Sequence, residues 1–249
     1  MMRVLRPVIT LAGLLALWQI AFHVAGERAY LLPAPLDTLT TAIDRADRLA
    51  HHALITFGEI LLGFGFGVAL GMLSALVLVM WAPARRWLLP LLVISQAIPV
   101  FALAPLLVLW LGYGLSSKVV MAVLIIYFPV TTAFLDGLRR TDPAWLDMAR
   151  VMGAGRGAML WHIRLPAALP ALASGLRVAA AVAPIGAVVG EWVGSSAGLG
   201  FLMLHANARM QIDVVFAALF LLAAFAVALY ALVNALTRRM VPWQAESNA

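Results

Sequence analysis

Apolar runs long enough to cross a bilayer constrain this chain more than any other feature. A helix rising about 1.5 Å per residue needs about 20 apolar residues to span about 30 Å of hydrocarbon. The stretches 8–25, 53–81, 87–111, 119–135, 172–190 and 214–236 meet or approach that length. About six crossings therefore predict an all-α membrane protein, since only helices or closed barrels satisfy their backbone in lipid. A soluble reading fails on composition. Hydrophobic residues make up 64% of the chain and charged residues 11%, against roughly 45–50% and about 25% in soluble domains.

The net charge of +6 does not form a stripe suited to nucleic acid. Its basic residues cluster at the ends of apolar runs, as insertion requires. Placing the N-terminus inside puts Arg3, Arg6, Arg85, Arg86, Arg139, Arg140, Arg150, Arg156, Arg164, Arg238 and Arg239 in the cytoplasm. Arg28, Arg45, Arg48, Lys118 and Arg209 then fall outside, so both termini are expected to be cytoplasmic. The first run is expected to be a retained helix rather than a cleaved signal, because it reaches spanning length and further spans follow. Without cysteine, the chain has neither disulfide nor thiolate chemistry. His51 and His52 lack further ligands nearby, and no metal site is expected.

The expected organisation is one membrane domain over 1–249. It comprises a first span with an outer amphipathic segment (1–49), a core (50–239) with a cytoplasmic loop (136–171), and a C-terminal tail (240–249) expected to fray from 244 onward. The segment 33–50 sets Leu36, Leu39 and Ile43 among Asp and Arg residues and reads as a surface helix. Gly63, Gly67 and Gly71 recur every four residues, which lets a neighbouring helix approach closely. Pro90, Pro99 and Pro105 remove backbone donors from the third run and predict a bent helix there.

Between the fourth and fifth runs the chain is structured. Asp142 is placed as N-cap with Pro143 at the first helical position, and Gly153 ends the helix about ten residues on. Trp145, Met148, Ala149 and Met152 share one face, with Asp147 and Arg150 on another. Too short to span, such a helix lies on lipid or docks into a partner.

Asp147-Met148-Ala149, then Gly153, then Ile163-Arg164-Leu165-Pro166 resembles the EAA signature of bacterial ABC importer permeases. Asp147 stands where that family usually has Glu, and Met148 where it usually has Ala. The resemblance extends from about residue 50 to 239 and implies a type I ABC importer transmembrane domain. In that family this short helix is the coupling helix, seated in a groove of the ATP-hydrolysing subunit. It implies that Asp147, Met148, Ala149 and Gly153 form the docking element, with Ile163, Leu165 and Pro166 attaching it to the fifth span. It also implies a second copy of the chain, an ATPase dimer, an external solute-binding protein and a place in the bacterial inner membrane. The sequence has no Gly-x4-Gly-Lys-Ser/Thr phosphate loop, so ATP is expected on the partner ATPase, with no cofactor and no catalytic residue in this chain.

The stretch from Ser95 to Leu106, with Trp110 to Gly114, Tyr127-Phe128-Pro129 and Gly137-Leu138, is similar to permeases of the nitrate, taurine and sulfonate group. Gly190-Glu191-Trp192-Val193-Gly194 and Ala197-Gly198-Leu199-Gly200 look most like permeases for thiamine pyrimidine precursors. Hydroxymethylpyrimidine or formylaminopyrimidine is the leading expected solute, with sulfonates, taurine, nitrate and riboflavin as alternatives. Acids inside a span normally face a cavity or a partner. Glu59 is therefore a candidate for the pathway or for a structural acid paired with a basic residue, and Glu191 for the pathway or for an interfacial acid in a turn; carboxylates would favour an aminopyrimidine over an anion. Gln96, Tyr127 and Trp192 join them as polar or aromatic groups near bent helices, and packing roles stand beside that reading. A secondary transporter driven by an ion gradient is the rival of another class. It would show inverted repeats, and none is visible.

Overall fold

The computed structural model describes residues 2–26 and 31–243, with side chains from residue 9 onward except 11. The tail 244–249, Arg28 and the side chains of Arg3 and Arg6 lie outside it. The described residues contain helices and no strand: α1 (Met2–Val24), α2 (Pro35–Asp44), α3 (Ala46–Met80), α4 (Ala82–Ser95), α5 (Val100–Leu111), α6 (Leu115–Arg139), α7 (Pro143–Val151), α8 (Arg156–Met159), a π turn (Leu160–Arg164), α9 (Leu165–Gly194), α10 (Leu199–Ala208) and α11 (Ile212–Met240). Four helical runs are long and apolar enough to cross a membrane, five when the bent pair α4 and α5 counts as one span. The all-helical membrane class read from the apolar runs is what the structure shows.

One expectation is met, that of a bent or broken third helix, and two are corrected in detail. The third run is two helices bent by 100°. Pro99 lacks an N–H and disfavours helical geometry at Ile98, so the chain closes in tight turns: the Gln96 N–H donates to the Val93 carbonyl at 3.1 Å and Ala97 to Ile94 at 3.0 Å. The fifth span begins near Arg156 rather than 172, as part of a 39-residue helical run. Its polar start, with His162 and Arg164, lowers the hydropathy without breaking the helix. The outer segment 33–50 is not one surface helix: α2 ends at Asp44 and the rest opens α3, whose first-turn Asp47 suits the positive end of the helix dipole. Leu36, Leu39 and Ile43 of α2 do stand exposed.

The chain forms two compact units, Met1–Thr56 with Ser196–Ala224, and Phe57–Ser195 with Phe225–Ala249. In the first, Trp18 stacks on Phe220 at 4.9 Å and its indole donates to the Pro33 carbonyl at 3.1 Å. The α10 N-terminus has no side-chain cap of its own. His52 Nδ1 accepts from the Gly198 N–H at 3.0 Å and Thr56 Oγ from the Leu199 N–H at 2.7 Å, satisfying orphan donors from another helix. His52 thus has a backbone partner on another helix.

The second unit is built on α6, packed between α3 and α9. A Cβ on Gly63 would lie 2.4 Å from Ala122 Cβ, and one on Gly67 2.7 Å from Ile126 Cγ2, so the glycine stripe of α3 is the contact with α6. Gly65, off that stripe, has nothing within 4 Å. From α9, Gly186 meets the Ala122 backbone, where a Cβ would lie 2.5 Å from its Cα. The core between them is Met121, Ile126, Val130, Phe134, Leu138, Ala179, Ala180 and Ala183, all fully buried.

Candidate functional site

Helix α7 is fixed by its own ends. Asp142 accepts from the Ala144 N–H at 2.8 Å, with Pro143 at the first helical position. At the other end Gly153 takes φ +82°. Its N–H donates to the Arg150 carbonyl at 2.9 Å, and Ala154 reaches the Ala149 carbonyl at 2.9 Å. That bond pair is a Schellman closure, which glycine adopts at least cost. Leu146 and Ala149 are buried. Trp145, Met148, Val151 and Met152 are exposed, the last at 78%. Asp147 and Arg150 pair across three residues on the surface.

Trp145, Met148, Ala149 and Met152 line an open depression of about 620 Å³, completed by Ala154, Ala158, His162 and Ile163. The structure therefore brings Ile163 beside the α7 stripe. Leu165 and Pro166, half-buried, open α9 rather than forming a loop.

The pathway candidates do not converge on one place. Glu59 and Glu191 come together within the second unit, both buried. Tyr127 donates to Ser74 Oγ at 2.9 Å. Since Ser74 lies about 22 Å along α3 from Glu59 at 1.5 Å per residue, Tyr127 sits at another depth. It borders an apolar cavity of about 330 Å³ lined by Leu70, Leu73, Leu88, Leu91 and others. Gln96 is exposed at the α4 to α5 bend, its amide near Ser95 Oγ at 3.3 Å. Trp192, half exposed, points away from its buried neighbour Glu191.

What the sequence reading missed is Lys118. Counted there among outer charges, it lies inside α6 with 2% of its surface exposed. It faces Glu59 and Glu191 from the third helix of the unit. Its ammonium donates to the carbonyls of Tyr113 and Gly114, the latter at 2.9 Å. A Cβ on Gly190 would lie 3.1 Å from Lys118 Cγ, so α9 closes directly over the side chain. Glu59 Oε2 is the buried side-chain atom without a hydrogen-bond partner among the described residues. A signal existed: Lys118 is the single lysine of the chain, every other basic residue being arginine, and two acids within spans call for a cation.

Together, the apolar helical runs, the broken span and the capped surface helix describe a multi-pass membrane transport subunit. The family of binding-protein-dependent transport system inner membrane components matches residues 67–242, and the chain belongs to it. It is an ABC importer permease subunit, a multi-pass component of the inner membrane. A probable ABC transporter permease protein of Haemophilus influenzae is 52% identical over 96% of this chain and 98% of its own. The formylaminopyrimidine transport permease protein ThiX of Halalkalibacterium halodurans is 35% identical, covering 96% of each chain. The riboflavin transport system permease protein RibX of Chloroflexus aurantiacus is 37% identical over 95% of this chain and 89% of its own. The structure titled inward facing conformations of the MetNI methionine ABC transporter shares the fold, with a TM-score of 0.68 at 18% identity over 79% of this chain and 98% of that one.

Proposed function

We propose that this permease carries a thiamine pyrimidine precursor, hydroxymethylpyrimidine or formylaminopyrimidine, into the cytoplasm as a pair of identical chains. An ATPase dimer docks at α7 and an external binding protein delivers the solute. The observation that carries the solute assignment is the full-length similarity to ThiX, joined to the buried carboxyl groups Glu59 of α3 and Glu191 of α9. The docking assignment rests on α7, a short helix capped at both ends with Trp145, Met148 and Met152 outward. Exposed apolar side chains over an open depression suit a helix-in-groove contact. ATP belongs to the partner ATPase, and both termini belong in the cytoplasm by the distribution of arginines.

In this reading the docked α7 moves as the ATPase closes. Because Ile163 packs in the same depression as α7 and α9 continues from it, that motion passes to the membrane helices. Gln96 and Trp192 offer exposed surface to the solute, and Tyr127 borders an apolar cavity in α6 at another depth. Glu59 and Glu191 stand buried in α3 and α9, with Lys118 facing them from α6.

RibX supports riboflavin as a second reading, on equally extensive similarity. Vesicles holding the permease, ATPase and binding protein should accumulate labelled hydroxymethylpyrimidine or formylaminopyrimidine only with ATP. Thermal-shift titration of the binding protein should rank pyrimidines above riboflavin, taurine and sulfonates. Uptake by this chain alone under a proton gradient would replace the importer mechanism with the rival class, and a riboflavin response would replace the solute.

A further inference from the structure

Three ionisable side chains, Glu59 of α3, Lys118 of α6 and Glu191 of α9, are each at least 98% buried within helices that are apolar enough to cross a membrane. Burying such groups costs several kcal/mol per ion, and apolar replacements of similar volume are often no less stable. Simple packing does not require them.

Lys118 also stands at the electrostatically unfavourable end of its helix. Gly114 is the N-cap of α6, and the ammonium reaches back over the first turn, where the helix dipole favours negative charge. Its hydrogen bonds go to the elbow 112–114, which joins α5 to α6. Gly112 there takes φ +81°, and Gly194 of α9 closes on the Tyr113 ring, where a Cβ would lie 3.3 Å from it. An ammonium has three donors, two of which hold elbow carbonyls. Opposite it, Glu59 Oε2 is buried with no hydrogen-bond partner among the described residues. One acceptor in the cluster is thus open while the cation facing it is committed to backbone.

We infer that Lys118 is a positioning residue for transport, an exchangeable clasp. In this structure it fastens the elbow, and in the other end state of the cycle its ammonium moves to Glu59 Oε2 and frees the elbow to shift with α5. A buried network with two discrete ways to satisfy its donors is the kind of element that switches rather than bends. A compact ammonium on a flexible stem suits that exchange beneath Gly190, whose backbone closes over the Lys118 stem. This rests on the importer reading, in which the permease alternates between two conformations.

The chain has no cysteine, so Leu115→Cys gives a unique spin-label site beside the elbow, and Leu73→Cys an exposed control about 21 Å along α3 from Glu59. Lys118→Met should mobilise the label at 115 and leave the control spectrum unchanged. An unaltered spectrum at 115 overturns the clasp. In vesicles of the full transporter, Lys118→Met should lower solute taken up per ATP hydrolysed by about tenfold. Lys118→Met combined with Glu59→Gln and Glu191→Gln removes the buried charge mismatch. It should restore assembly and melting temperature while the uptake ratio stays low. Recovery of uptake in that triple variant would reduce the cluster to a structural one and overturn the inference. Wild-type vesicles without ATP-dependent uptake would instead sink the importer reading, and the label comparison would still test the clasp.

Discussion

Helix α7 turns apolar side chains outward, whereas the cluster of Glu59, Lys118 and Glu191 turns charges inward. Each inverts the usual preference, and each does so by a different means. Helix α7 is specified within a dozen consecutive residues: an Asp cap, a proline at its first position and a glycine that accepts a positive φ. The cluster is specified by three helices separated by about 60 to 70 residues, brought together through glycine contacts along α6. Exposed apolar groups ask for a partner outside the chain. The buried ionisable groups are gathered inside it, facing one another from three helices.

The largest expected effect breaks α7 at its C-terminal end. Gly153→Pro fixes φ near −65° where +82° is required and removes the N–H bonded to the Arg150 carbonyl. Membrane insertion should persist while uptake per ATP falls about a hundredfold, measured in vesicles; normal uptake would remove the docking role. Next comes the packing on which the cluster depends. Gly186→Ala drives a Cβ to 2.5 Å from the Ala122 Cα, and should lower stability in detergent by about 1–3 kcal/mol. Gly65→Ala, with open space around it, should raise helix stability by up to about 1 kcal/mol; equal effects of the two would dissolve the distinction between packed and open glycines.

Smaller effects sharpen the local side of the comparison. Asp142→Ala removes the cap on the Ala144 N–H and should cost about 1 kcal/mol of local helix stability, seen as faster amide exchange in the first turn of α7. Asp147→Lys disrupts an exposed pair with Arg150. Its effect on unfolding should stay within about 0.5 kcal/mol. Because the reversed charge lies on the proposed docking surface, uptake should fall although the fold does not change. Uptake unchanged by this variant would place the ATPase contact on the apolar stripe alone.

The helices and α7 were legible because their causes are local or periodic: apolar length, an Asp-Pro start, a glycine stop. Helix ends were less so. The fifth helix starts at Arg156 because helical propensity continues where hydropathy stops, and hydropathy alone marks lipid depth rather than helix length. The third run bends by 100°; its prolines announced a bend without its angle, which depends on what the two halves pack against. Of the pathway candidates, Glu59 and Glu191 drew attention through the cost of an acid in lipid, and the structure buries both and gathers them with Lys118. Lys118 escaped notice because it stands next to the run 119–135, where a charge reads as a loop residue.

By itself, the sequence determined that this chain lives in a membrane, that it is helical, and that a short capped helix interrupts its spans. Those follow from solvent, backbone geometry and contacts between residues a few positions apart. Only the tertiary structure decided which helix faces meet, and hence that a lone lysine would be buried against two carboxyl groups from other helices. Such a meeting depends on the depth and rotation of each helix against its neighbours, quantities set by glycine-to-backbone contacts many residues apart.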